Sequence, residues 1–133
     1  VPPAQLERFV GELARLTDEH QANLLNVSIR HAKADPGTLL AWAPEEVFAL
    51  VLYYRQGSNA AERAKAAAWT RALIDAALAC GGRYYLPYQI HASREQFLAA
   101  YPRAPEFFAL KRRLDPSYKF RNALWDAYYL PAP

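Results

Sequence analysis

The stretch "EVFALVLYYR", residues 46–55, constrains this chain most. Val47 to Tyr54 are apolar without alternation, and β-branched and aromatic residues favour a strand. Side chains alternate across a strand, so a continuous apolar run asks for cover on both faces. The neighbouring stretch "NLLNVSIRH", 23–31, alternates instead. Leu25, Val27 and Ile29 point one way, and Asn26, Ser28 and Arg30 the other. The two strands are joined through "ADPG", 34–37, which is turn chemistry.

Helices are expected around them. In "PPAQLERFVGELARLTDEH", Leu6, Phe9, Val10, Leu13 and Leu16 follow the spacing of one buried face, and Pro3 suits a first turn. Asn59 and Glu62 have capping-box spacing ahead of an alanine-rich helix reaching Cys80, with Trp69, Leu73 and Ala77 on one stripe. Gly81 and Gly82 stop it. "RYYLPYQI", 83–90, reads as a third, short strand that Pro87 confines to an edge or bends. Ser93 with Gln96 caps a helix over 94–101. Pro105 opens another to Leu114, and "FRNALWDAYYL", 120–130, is a short helix or coil.

The order is α, β, β, α, β, then helices. One strand ahead of residue 1 would complete βαββαβ, a ferredoxin-like antiparallel sheet in an α+β fold. The expectation is a single domain over 1–133, with a sheet-and-helix core at 1–91 and C-terminal helices at 92–133. "VP" at the start would be the stump of the missing strand. The two long helices cover one sheet face, leaving the other for another domain or a second copy. The absence of methionine, even at position 1, agrees with a piece of something longer.

Several function classes are disfavoured. At 53% apolar, the chain is richer than a disordered tail, yet no run approaches the roughly 20 residues of a membrane span. No leader pattern is seen, and a cytoplasmic protein is expected. The lone Cys80 rules out an internal disulfide. The histidines His20, His31 and His91 lack metal-ligand spacing, the five glycines form no phosphate loop, and no serine sits in a nucleophile elbow. The net charge of +3 is mild, and much of it lies in "LKRRLDPSYKFR", 110–121. Those cations suit a helix C-terminus or contact phosphates. The aromatics do not interleave with them as a nucleic-acid stacking platform requires, so no nucleic-acid partner is expected.

Two features carry possible chemistry. Arg30 on the polar strand face, beside Ser28, pairs with a nearby acid or anchors an anionic or hydroxylated ligand. The tyrosines of "RYYLPY" fill a sheet edge or present hydroxyls to one cavity, as hydrogen-bond donors or acid/base groups.

The segments "GGRYYLPYQIHASREQFLAAYP" and "FFALKRRLDPSYKFRN" resemble the C-terminal end of FAD-linked oxidases of the vanillyl-alcohol oxidase superfamily. The Tyr-Leu-Pro strand is similar to that of cytokinin dehydrogenases. The "YP…F…LDP…KFRN" ending is similar to aldonolactone and alditol oxidases, and "NVSIRH" looks like a cap-domain strand. The resemblance implies the last part of a substrate-covering domain plus helices returning to an N-terminal FAD-binding domain of the same full-length chain. It implies FAD as cofactor, bound mainly by that other domain, and a small alcohol, hydroxy acid or amine as substrate. Arg30, Tyr85 and Tyr88 would be catalytic, Ser28 and Asn26 substrate-binding, and Asn122 and Arg121 cofactor-binding. Ser28 stands where the family's strand has a glutamate, and Tyr88 where several relatives have lysine or histidine. The fragment alone would be inactive. The competing expectation is a free-standing ferredoxin-like module that binds a ligand and dimerises through its bare sheet face.

Overall fold

Local chemistry sets the helix boundaries. The computed structural model describes residues 1–129, so Leu130 of the expected C-terminal segment and residues 131–133 lie outside the described residues. After a 3₁₀ turn at Pro3–Gln5, helix α1 runs Leu6–Glu19. It buries Phe9, Leu13 and Leu16, while Val10 stays 41% exposed. One position past Phe9, Val10 is rotated about 100° off the contact stripe. Helix α2, Ala60–Ala79, starts at Asn59, whose side chain accepts from Glu62 N–H at 2.9 Å. It ends in a full Schellman arrangement, with Gly82 N–H donating to Ala77 O and Gly81 N–H to Leu78 O. Gly81 sits at φ +70°, where a side chain would be strained.

Strands β1, Leu24–Ala32, and β2, Val47–Tyr54, pair antiparallel. Arg30 is opposite Ala49, Ser28 opposite Val51 and Val27 opposite Leu52. The pairing slips between Leu24 and Asn26. This reverses the expected phase of Leu25, which is 66% exposed, while Leu24 packs toward the helices. An extra residue in one strand shifts everything beyond it to the other face.

Residues 83–90 correct the expectation of a third strand. They run as coil with a turn at Leu86–Pro87. A strand is defined by its neighbour. Pro87 has no N–H, and among the described residues no backbone lies alongside to bond the rest. The described sheet has two strands, in an α+β fold with five α-helices.

Helices α1 and α2 pack one sheet face. Leu13, Leu16, Trp69 and Leu73 form a buried cluster that Leu24, Val27, Leu50, Leu52 and Tyr54 join from the strands. The C-terminal helices α3 (Arg94–Ala100), α4 (Ala104–Leu114) and α5 (Ala123–Tyr128) close a second core. Phe97, Tyr101, Phe108, Tyr128 and Tyr129 pack there with Ile74 of α2. Phe97 and Tyr128 stack at 4.2 Å with nearly parallel rings. Ser93 and Gln96 exchange both bonds of a capping box at the start of α3. Among the described residues no helix is long and apolar enough to cross a membrane.

Candidate functional site

The site begins at the edge of β2 that β1 does not cover. Along a strand, successive backbone N–H and C=O pairs alternate between the two neighbours. Phe48 exchanges both bonds with Val1, whose N donates to Phe48 O at 2.9 Å and whose O accepts from Phe48 N at 2.9 Å. Phe48 therefore faces away from β1, and by alternation so do Leu50, Leu52 and Tyr54. Arg55 N–H, of the opposite parity, donates to Asn23 O on the β1 side.

Alongside that edge lies a groove of about 910 Å³. Its walls are β2 and residues of the 83–92 segment, and Trp69, Leu73, Ile74 and Ala77 of α2 line it as well. It wraps over the strand edge onto the face opposite the helices, where Arg30 stands. Tyr85 and Tyr88 also line it, with ring centroids 5.5 Å apart, edge to face. Trp42, from the connection between the strands, meets Tyr85 edge-on at 5.7 Å. Tyr88 is 63% exposed.

Arg30 is exposed, and among the described residues no acid pairs with it and no hydrogen bond engages its guanidinium. Its strand neighbour His31 does have a carboxylate partner, Glu46, at 2.6 Å. Asn26 and Ser28 share Arg30's sheet face, opposite Tyr53 and Val51, but do not line the groove. No protein-family model, curated protein or solved structure matches this chain.

Arg121 and Asn122 lie elsewhere. Asn122 caps α5 by accepting from Trp125 N–H at 3.1 Å, and Arg121 Nε donates to Asp126 at 3.1 Å. Arg121 borders a separate depression of about 280 Å³ with Tyr118, Trp125, Asp126 and Tyr129. Nearby, Lys111 Nζ donates to Asp115 and lies 5.1 Å from the Trp125 ring centroid. That hydrogen bond, with further donation from Phe120 and Lys119 N–H, holds the Asp115 carboxyl at about 2, against the opposing effect of partial burial.

Sequence reasoning missed His91 and Trp69 as groove residues; Tyr84, one of the "RYYLPY" tyrosines, lines the groove with them. Their buried polar atoms, His91 Nε2, Tyr84 Oη and Trp69 Nε1, meet no hydrogen-bond partner among the described residues. The Tyr84 hydroxyl lies near that of Tyr128, which donates to Ala92 O, without reaching hydrogen-bond geometry. Burial raises the Tyr84 pKa; burial first, and then Arg71, lowers that of His91. His91 and Tyr84 both stand within "GGRYYLPYQIHASREQFLAAYP", but no local pattern reports that a side chain lacks a partner. Trp42 had no sequence signal at all.

Proposed function

We propose that this chain is the substrate-covering part of an FAD-dependent oxidoreductase of the vanillyl-alcohol oxidase superfamily, acting on a small alcohol, hydroxy acid or amine. Beside the sequence resemblance, one observation supports the reading: Arg30 lines one groove with Tyr85 and Tyr88, which are distant from it in sequence. An unengaged guanidinium offers a fork of donors to a carboxylate or hydroxyl, and two phenols add hydroxyls that donate or accept. Together they orient a polar substrate on the helix-free face of the sheet, with Asn26 and Ser28 as further polar groups of that face.

The described residues do not fit the dinucleotide itself. Arg121 and Asn122 spend their side chains on Asp126 and on capping α5. The groove walls are largely apolar side chains, and the free N–H groups of the β2 edge are strung along an extended strand rather than converging in a phosphate cradle. FAD belongs to an N-terminal FAD-binding domain of a longer chain, and the 133 residues alone do not retain it. The flavin supplies the redox chemistry when bound. This chain's residues bind and orient substrate.

Reading the coding sequence ahead of Val1 tests the proposal first. An FAD-binding domain in the same frame is the expected result, and its absence overturns the reading. In the full-length protein, Tyr88→Phe is expected to slow anaerobic bleaching of the flavin band by small alcohols, hydroxy acids or amines roughly 10- to 1,000-fold, the range for a positioned donor. Unchanged bleaching removes Tyr88 from the site.

A further inference from the structure

We propose that the gap between the free edge of β2 and residues 83–90 accepts one extended peptide strand, antiparallel to β2, from the segment of polypeptide that leads directly into Val1. This goes beyond the flavin reading and does not rest on it.

Val1 sets the register. Its two-bond exchange with Phe48 is the hydrogen-bonded pair of an antiparallel ladder. Followed in the amino direction, the same line next meets Leu50, then Leu52. Their N–H and C=O groups point into the gap, and among the described residues nothing bonds them there. Val1 is also held from the far side, since a Cβ on Gly82 would come within 2.7 Å of Val1 Cγ1. One chain therefore already stands between the two walls at this end, and it is buried.

The chemistry of the gap defines the occupant. Directly opposed residues share a face, so alternate residues of the added strand join Leu50 and Leu52 over α2. Those residues must be apolar, because Trp69, Leu73, Ile74 and Ala77 line that side. The residues between them emerge on Arg30's face, where polar groups are tolerated. Trp69 Nε1, Tyr84 Oη and His91 Nε2, the buried side-chain polar atoms left without a partner among the described residues, all belong to residues lining this groove. The same strand gives residues 83–90 the neighbour they lack. A second copy does not fit: its β2 carries β1 on the other edge, making a ribbon two strands wide, whereas this gap is closed by 83–92. A helix is too thick at about 10 Å and cannot bond the edge, whereas paired strands lie about 4.8 Å apart.

The test places an eight-residue extension directly ahead of Val1. It carries valine at the second, fourth and sixth positions counted back from Val1, and threonine elsewhere. The control has proline at the second and fourth positions, opposite Leu50 and Leu52. With the alternating extension, Leu50 and Leu52 amides are expected to exchange on the order of 100-fold more slowly than in the proline control, by NMR, with a higher thermal midpoint. If the unextended chain is unstructured, acquisition of folded dispersion with the alternating extension alone supports the proposal equally. Exchange as fast as in the proline control overturns it, as does failure of both extended chains to fold. Sedimentation showing that the unextended chain dimerises with those two amides already protected assigns the edge to a second copy and also overturns it.

Discussion

The C-terminal helices and the sheet draw on similarly apolar sequence but finish differently. Around α3 and α4, Phe97, Tyr101 and Ala104 are wholly buried. In β2, an unbroken apolar run, only Val47 is buried and Tyr53 is 52% exposed. The difference is one of bonding. A helix satisfies its backbone within itself and needs only one packed stripe. A strand must borrow both rows of partners from its neighbours, and among the described residues β2 has one full neighbour plus the short bridge at Val1. Apolar residues alone do not close a sheet core.

The largest effect that would break this comparison is in the aromatic core. Phe97→Ala is expected to cost about 3–5 kcal/mol, and Leu52→Ala in β2 only about 1 kcal/mol, since that side chain is already partly in water. Urea midpoints of the two variants check it, and equal losses would mean that the sheet is as closed as the helices. Next, Gly82→Ala sets a methyl against Val1 and against Ala77 O at 3.0 Å. Destabilisation of roughly 1–3 kcal/mol is expected for such overpacking, with loss of protection at the Phe48 amide. Protection retained at Phe48 would show that Val1's bridge does not depend on Gly82.

A smaller, pH-dependent effect sharpens the contrast from the helical side. Asp115 has its carboxyl pKa lowered from an ordinary 3.8 to about 2. A lowered carboxyl pKa stabilises the fold above the unfolded value and loses that contribution as pH falls through the folded one. Asp115→Asn is therefore expected to lie below the parent in thermal midpoint at pH 6, with the gap closing between about pH 4 and pH 2. The comparison with the variant matters because Asp35, Glu95 and Glu106 are also lowered and titrate in the parent. A gap that persists at pH 2 would assign Asp115's role to shape rather than charge. The smallest effect is expected at Tyr88→Phe. With Tyr88 largely exposed, stability should stay within about 0.5 kcal/mol of the parent in the isolated chain, so any larger loss of function belongs to the site.

Features whose partners lie a few residues away are legible in the linear string. Asn59 and Ser93 cap α2 and α3, and Gly81–Gly82 end α2 in the arrangement their spacing announces. The stripe of Trp69, Leu73 and Ala77 is the buried face of α2. These depend on hydrogen bonds and side-chain spacings within one or two turns, which a linear string carries in full. Tertiary structure decided the rest. Whether 83–90 is a strand depends on a neighbour, and the slip that turns Leu25 outward depends on pairing with β2. Tyr85 and Tyr88 share a groove with Arg30, whereas Asn122 and Arg121 are drawn into local contacts at α5. Trp42 reaches Tyr85 from more than forty residues away. Each of these turns on which distant backbone or side chain is present to pair with, and that information resides in the packing of the whole chain rather than in any local run of residues.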